Sequence, residues 1–214
     1  AAVAARTTNI AIAINALIAI LSVVSLAFIA PGVATAADKM TVNPPPSAQL
    51  DYRIRADVMG LVLEGTSERW SAETEILLFT AARRDHLEKT IRPALERGAV
   101  VITDRFADST RMYQGISRGD LGQVVDDLHA LMIGVEPDLT FLVDLPAELG
   151  LARAQARAGA EMRFEGMGLA LQSQMRRGFL ALAAKHRSFA VIDGTAAPET
   201  IAAQILAIAS AHLG

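Results

Sequence analysis

No cysteine occurs in the 214 residues, which excludes disulfides and thiolate metal sites and leaves the redox compartment open. Histidine is scarce as well, with four residues and no two at metal-ligand spacing. Lysine occurs only at Lys39, Lys89 and Lys185, so arginine carries nearly all the positive charge. Arginine is the better fork for phosphate oxygens, although a compositional bias of the genome produces the same usage. There is no excess of positive charge: the formal net charge is −3, so the basic footprint of a nucleic-acid binder is missing. What is present argues for a folded chain. Hydrophobic residues make up 52% and charged residues 20%, and the length suits one medium α/β domain with a sizeable core.

Residues 1–40 differ in character from the rest. Ile10 to Ala30 is almost unbroken Ala, Ile, Leu and Val, interrupted by Asn15, Ser22 and Ser25. About 20 apolar residues span a bilayer, and Arg6 before the run with Ala34-Thr35-Ala36 after it also resembles a secretory signal. The reading preferred here is a buried helix of the core. Thr41 to Ser47 contains three successive prolines and is a loop or linker. Ile54–Leu63 reads as a helix, and Ser71 as the N-cap of another that continues through Ile76, Leu77, Phe79 and Ala82. A separate helix is expected from about His86 to Arg97, then a strand at 99–103. Leu121–Met132 reads as a helix, 138–144 as a buried strand, and a helix runs from Pro146 to about Ala158. A polar loop at 159–165 leads into a helix from Met167 to Ala184. A strand at 190–193 and a helix from Pro198 to His212 close the chain. Strands alternating with helices predict a parallel sheet covered on both faces.

Three groups of residues carry chemistry. Asp104 and Arg105 follow the apolar run Ala99–Ile102, at the carboxyl end of a parallel strand, where open α/β sheets bind ligands. Arg105 suits phosphate oxygens, and Asp104 could orient it or hold water on Mg²⁺. Phe79 and Arg83, four apart, share a helix face, and an aromatic ring beside a guanidinium can stack a base and bond its carbonyl edge. Arg153, Arg157 and Arg163 flank the polar loop, where mobile arginines can neutralise charge on a transferring phosphate. Each group also has a plain structural reading: an ion pair at a strand end, a core phenylalanine, a solvated basic helix end.

Taken together, these motifs resemble the thymidylate kinase family. Asp104-Arg105-Phe106 with Ser109 and Tyr113-Gln114-Gly115 is similar to its DR(Y/F) motif. Glu75-Ile76-Leu77-Leu78-Phe79 with Ala82, Arg83 and His86 is similar to its base-binding helix, and Arg153 to Glu165 to its lid. Ile91–Gly98 and Glu136–Thr140 match smaller motifs in the same order, so the resemblance covers about residues 57–214. It implies a P-loop-kinase-like three-layer α/β fold: one domain over 1–214, a parallel sheet of about five strands with helices on both faces, and a lid at about 153–166. The first strand and its helix then have to come from residues 1–40. The implied reaction is ATP-dependent phosphorylation of dTMP to dTDP with Mg²⁺, in a cytoplasmic homodimer with no membrane or nucleic-acid partner. Phe79 would stack on thymine and Arg83 bond it. Arg105, Ser109, Tyr113 and Gln114 would complete the dTMP site, with Tyr113 beside the deoxyribose. Arg153, Arg157 and Arg163 would be catalytic, and Asp104 would meet the metal through water.

The resemblance stops at residues 1–47. The family's phosphate cradle, G-x-x-x-x-G-K-(S/T), wraps ATP phosphates with backbone N–H groups and a lysine. No Gly-Lys pair exists in this chain, and Gly32 is the only glycine before residue 60. Val42-Asn43-Pro44-Pro45-Pro46-Ser47 stands where the family has R-E-P-G-G-T. The length is kept while the chemistry is lost, as a locally shifted reading frame would produce. Two further readings stay open: a non-catalytic nucleotide-binding relative, and a membrane or secretory segment joined to a truncated kinase.

Overall fold

In a computed structural model the structure describes residues 11–16, 69–97, 100–116, 119–156 and 168–213. A four-stranded parallel sheet forms its centre: β1 (Ala11–Ala16), β2 (Val101–Asp104), β3 (Leu139–Asp144) and β4 (Phe189–Asp193), in the order β2-β1-β3-β4. Ala11 lies opposite Val101 on one side, and Ile12 opposite Leu139 on the other. The helix expected with the first strand lies outside the described residues, and the expectation that residues 1–40 supply that strand therefore holds. The buried helix expected over 10–30 does not, at least for Ala11–Ala16. A continuous apolar run has no period to separate helix from strand, and a strand flanked on both edges in a parallel sheet needs just such a run. Four strands are seen among the described residues, against about five expected. The helix expected at Ile54–Leu63 and the polar loop at 159–165 lie outside the described residues.

Helices cover both faces of the sheet. β3 shows how, since its residues alternate between two cores. Leu139, Phe141 and Val143 pack with Ile192 of β4 and with Ile201 and Ala209 of a C-terminal helix. Leu142 points the other way, into Met112, Tyr113, Met175 and Phe179. Burial on both sides is why this segment reads as a near-continuous apolar run. In chain order the helices are α1 (Ala72–His86), α2 (Arg92–Glu96), α3 (Ala107–Thr110), α4 (Gly122–Met132), α5 (Ala147–Ala156), α6 (Gly168–Lys185) and α7 (Pro198–Leu213).

Local chemistry sets the ends of these elements. Ser71 Oγ accepts from the Thr74 backbone N–H at 3.1 Å and so starts α1. The residue opposite the cap is a threonine, whose hydroxyl meets Ser71 Oγ at 3.1 Å. The separate helix expected from His86 is corrected. The helical run continues from α1 through a π-helical segment, Leu87–Ile91, into α2. The Arg92 N–H reaches the Leu87 carbonyl, five residues back. Pro93 would clash with the carbonyl four residues before it in an α-helix, and the wider π turn relieves that crowding. α4 stops at Gly134, whose φ of 64° and N–H bond to the His129 carbonyl make a left-handed helix end.

Gly194, just past β4, sits against the end of β3. Its N–H donates to the Asp144 carbonyl at 2.7 Å. A Cβ on Gly194 would come within 2.8 Å of that oxygen and 3.0 Å of Val143 Cγ1. Gly194→Ala is therefore expected to destabilise the protein by about 1–3 kcal/mol, as overpacking against backbone does, measurable as a lowered denaturant midpoint at unchanged slope.

Candidate active site

The carboxyl edge of the sheet gathers the ends of β2, β3 and β4. The chain passes from β1 to β2 on one side and then crosses to β3 on the other, which makes the carboxyl edge between β1 and β3 a switch point of the kind where α/β sheets take ligands. Asp104 is the last residue of β2 and is exposed. Arg105 follows it with φ 64°, a left-handed conformation that costs a non-glycine residue about 1–2 kcal/mol. Strain of that kind gathers at functional sites. Its guanidinium carbon lies 5.2 Å from the centroid of the buried Tyr113 ring.

Glu75, Phe79 and Arg83 form one stripe on α1, a turn apart each. Facing it are α3 and a π-helical segment, Arg111–Ile116. Two bridges join the pair. At one end Arg83 Nη2 donates to Thr110 Oγ1 at 2.8 Å and to the Phe106 carbonyl at 3.1 Å. At the other, Gln114 Nε2 donates to Glu75 Oε2 at 3.0 Å. Phe79, half-buried, lies on the turn between the bridges. Burial, and next the charge of Arg111, pull the Arg83 pKa down to about 10, so it is still a cation at neutral pH. Both of its hydrogen bonds among the described residues leave from Nη2.

The sequence-predicted residues Phe79, Arg83, Arg105, Tyr113 and Gln114 are thus brought together on α1 and the segment after β2. Ser109 lies half-buried on α3, between Arg105 and the second bridge in sequence. Arg153 is placed elsewhere, its Nη1 donating to the Gly194 carbonyl at 3.0 Å. It ties α5 to the loop after β4. Arg157 and Arg163 lie outside the described residues. Among the described residues no group of three His, Cys, Asp or Glu is disposed to hold a metal. A single exposed carboxylate at Asp104 fits Mg²⁺ bound largely through water and phosphate.

Sequence reasoning missed the ionic support behind this site. Arg111 donates to Asp108 and Asp126 at 2.7 Å each and to Glu136 at 3.0 Å. His129 Nε2 stands 3.0 Å from Glu136 Oε1, without the alignment of a hydrogen bond. Burial alone would raise the Glu136 pKa, but His129 and Arg111 outweigh it and hold the carboxyl at about 2. Arg176 of α6 grips Asp144, at the end of β3, in a two-pronged pair with both contacts at 2.7 Å. Spacing could have suggested Asp108 with Arg111, three apart, but the remaining partners are distant in sequence.

Arginines and a stacking-sized aromatic gathered where a parallel sheet opens suit an α/β enzyme that works on nucleotides. A family model described as thymidylate kinase matches residues 35–205. The thymidylate kinase of Ruegeria pomeroyi is 63% identical over 158 residues, covering 73% of this chain and 75% of that protein. The thymidylate kinase of Dinoroseobacter shibae is 59% identical over 152 residues, covering 71% and 73%. That of Jannaschia sp. is 53% identical over 158 residues, covering 73% and 76%. This chain belongs to the thymidylate kinase family. Among the described residues, no helix is long and apolar enough to cross a membrane.

Proposed function

We propose that this chain transfers the γ-phosphoryl group of ATP to dTMP, giving dTDP and ADP, a step towards dTTP. The observation that carries this reading is the pair of bridges joining α1 to the segment after β2. Phe79 sits between Arg83 and the buried Gln114 on the helical stripe, and Arg105 stands at the adjacent strand end. Phe79 stacks on the base and Arg83 donates to its carbonyl edge. Arg105 grips the dTMP phosphate as a planar fork, with Ser109 and Tyr113 near the sugar. Arg157 and Arg163 supply positive charge where negative charge develops on the transferring phosphoryl group, while Arg153, expected with them, is tied to the Gly194 carbonyl, so that catalysis is positioning plus charge neutralisation. Asp104 would hold Mg²⁺ through water, and the ion would neutralise the phosphates of ATP. The enzyme is read as a cytoplasmic homodimer, with α4 as a pairing face because Val124, Leu131 and Met132 are exposed on it.

The test is dTMP-dependent ADP release by the purified chain, with dTMP and ATP binding followed by calorimetry. Turnover with dTMP supports the proposal. Binding of dTMP with no ADP release, and ATP affinity weaker than micromolar, would overturn it in favour of a non-catalytic nucleotide-binding relative, the reading that the missing Gly-Lys loop keeps in play.

A further inference from the structure

We propose that Glu75 is a positioning residue: it fixes which end of the Gln114 amide meets the nucleobase, and so makes the site select a ring N–H over a ring-nitrogen acceptor. This rests on the proposed dTMP reading and deepens it.

Glu75 is fully buried on α1 and Gln114 is 1% exposed. A buried carboxylate is costly to keep unless it is hydrogen-bonded, and this one receives the Gln114 amide at 3.0 Å. An ionised carboxylate only accepts hydrogen bonds. The amide must therefore present its NH₂ to Glu75 and turn its carbonyl oxygen away. Without such a partner a glutamine amide can present either end. Losing a charge-assisted bond inside the protein disfavours the flipped form by about 10- to 100-fold.

The geometry fits one base edge. Glu75, Phe79 and Arg83 follow each other at one-turn intervals, and Gln114 and Thr110 bridge the outer two. A base stacked on Phe79 lies within about one helical pitch, roughly 5 Å along the axis, of each bridge. The Arg83 end offers donors and the Gln114 end, as set by Glu75, offers an acceptor. Thymine and uracil present a carbonyl oxygen next to a ring N–H, which complements that pair. Cytosine presents an amino group next to a bare ring nitrogen and meets donor with donor and acceptor with acceptor.

The test compares Glu75→Gln with the double swap Glu75→Gln/Gln114→Glu, using dTMP and dCMP as substrates. The single change keeps volume and a hydrogen bond but releases the amide orientation. It is expected to raise KM for dTMP about 10-fold, to affect kcat less, and to cut the preference for dTMP over dCMP by about 10-fold or more. In the double swap the new carboxylate at position 114 accepts from position 75 and still offers an acceptor to the base, so the preference returns. Equal losses for both nucleotides, or an unchanged preference in the single variant, would overturn the proposal and leave Glu75 a purely structural partner. If the wild-type chain does not turn over dTMP, the function reading fails on its own. The same comparison made by calorimetric binding of dTMP and dCMP then still decides the role of Glu75.

Discussion

Arg105→Gly is expected to lower kcat/KM for dTMP by about 100-fold or more while the melting temperature stays within a few degrees of wild type. A guanidinium on a phosphate makes two charge-assisted hydrogen bonds, each worth about 1.5–3 kcal/mol, so losing the fork reaches the 100-fold range. Stability should move little, because relief of backbone strain opposes the loss of side-chain contacts. Glycine removes the penalty of a left-handed φ of 64°, about 1–2 kcal/mol. The loss of the Arg105 contact over Tyr113 removes about 0.5–1 kcal/mol. Arg105→Ala separates the terms, since it loses the fork while keeping the strained backbone. Steady-state kinetics with thermal melts of both variants decide the matter. Activity retained in both would place the phosphate grip elsewhere.

The second large effect concerns folding. Arg111→Met is expected to destabilise the protein by about 3–5 kcal/mol, the cost of breaking a buried ionic group from one side. Asp108 is 5% exposed and would lose its 2.7 Å ion pair with Arg111. At about 2–4 °C per kcal/mol for a chain of this size, the melting point falls by roughly 10 °C. Arg111→Met with Asp108→Leu should recover part of that loss, because it removes the buried carboxylate as well. If the single variant melts like wild type, the cluster contributes nothing net. The same cluster sets an acid limit. The Glu136 pKa is depressed from the usual 4.5 to about 2. A group depressed by folding stabilises the native state above its unfolded pKa and loses that contribution as pH falls through the folded value. Stability should therefore decline between about pH 4.5 and pH 2, and Glu136→Gln should flatten that decline in acid titrations followed by circular dichroism.

Much of the framework was legible because local rules and tertiary packing agree. β2, β3 and β4 follow apolar runs bounded by turn residues, and the start of α1 follows from Ser71. The pairing of Phe79 with Arg83 was legible from helical spacing, and its apposition to Arg105, Tyr113 and Gln114 only through resemblance. The misread parts fail for identifiable reasons. Ala11–Ala16 has no period to mark it as a strand. The stretch from His86 was read as a separate helix, whereas a π turn lets one helical run continue from α1 through Pro93. The Arg111 cluster joins Asp108 to Asp126 and Glu136 across three elements, and no spacing along one helix encodes such a meeting. Glu75 stood in a quoted motif, yet its role became visible only when Gln114, 39 residues on, was found beside it.

The central place of β1 has a consequence for how the chain is made. Its register partner on one side, Val101 for Ala11, lies 101 − 11 = 90 positions later. On the other side Leu139 lies 139 − 12 = 127 positions after Ile12. At roughly 5–20 residues per second of synthesis, the strand at the middle of the sheet waits on the order of 5–20 s for its first neighbour and longer for its second. Both its edges are unsatisfied for that time, and pairings between such distant segments are slow to form. A nascent chain of this design is exposed at its innermost strand, so its yield in the cell should depend on chaperone capacity more than its finished stability suggests.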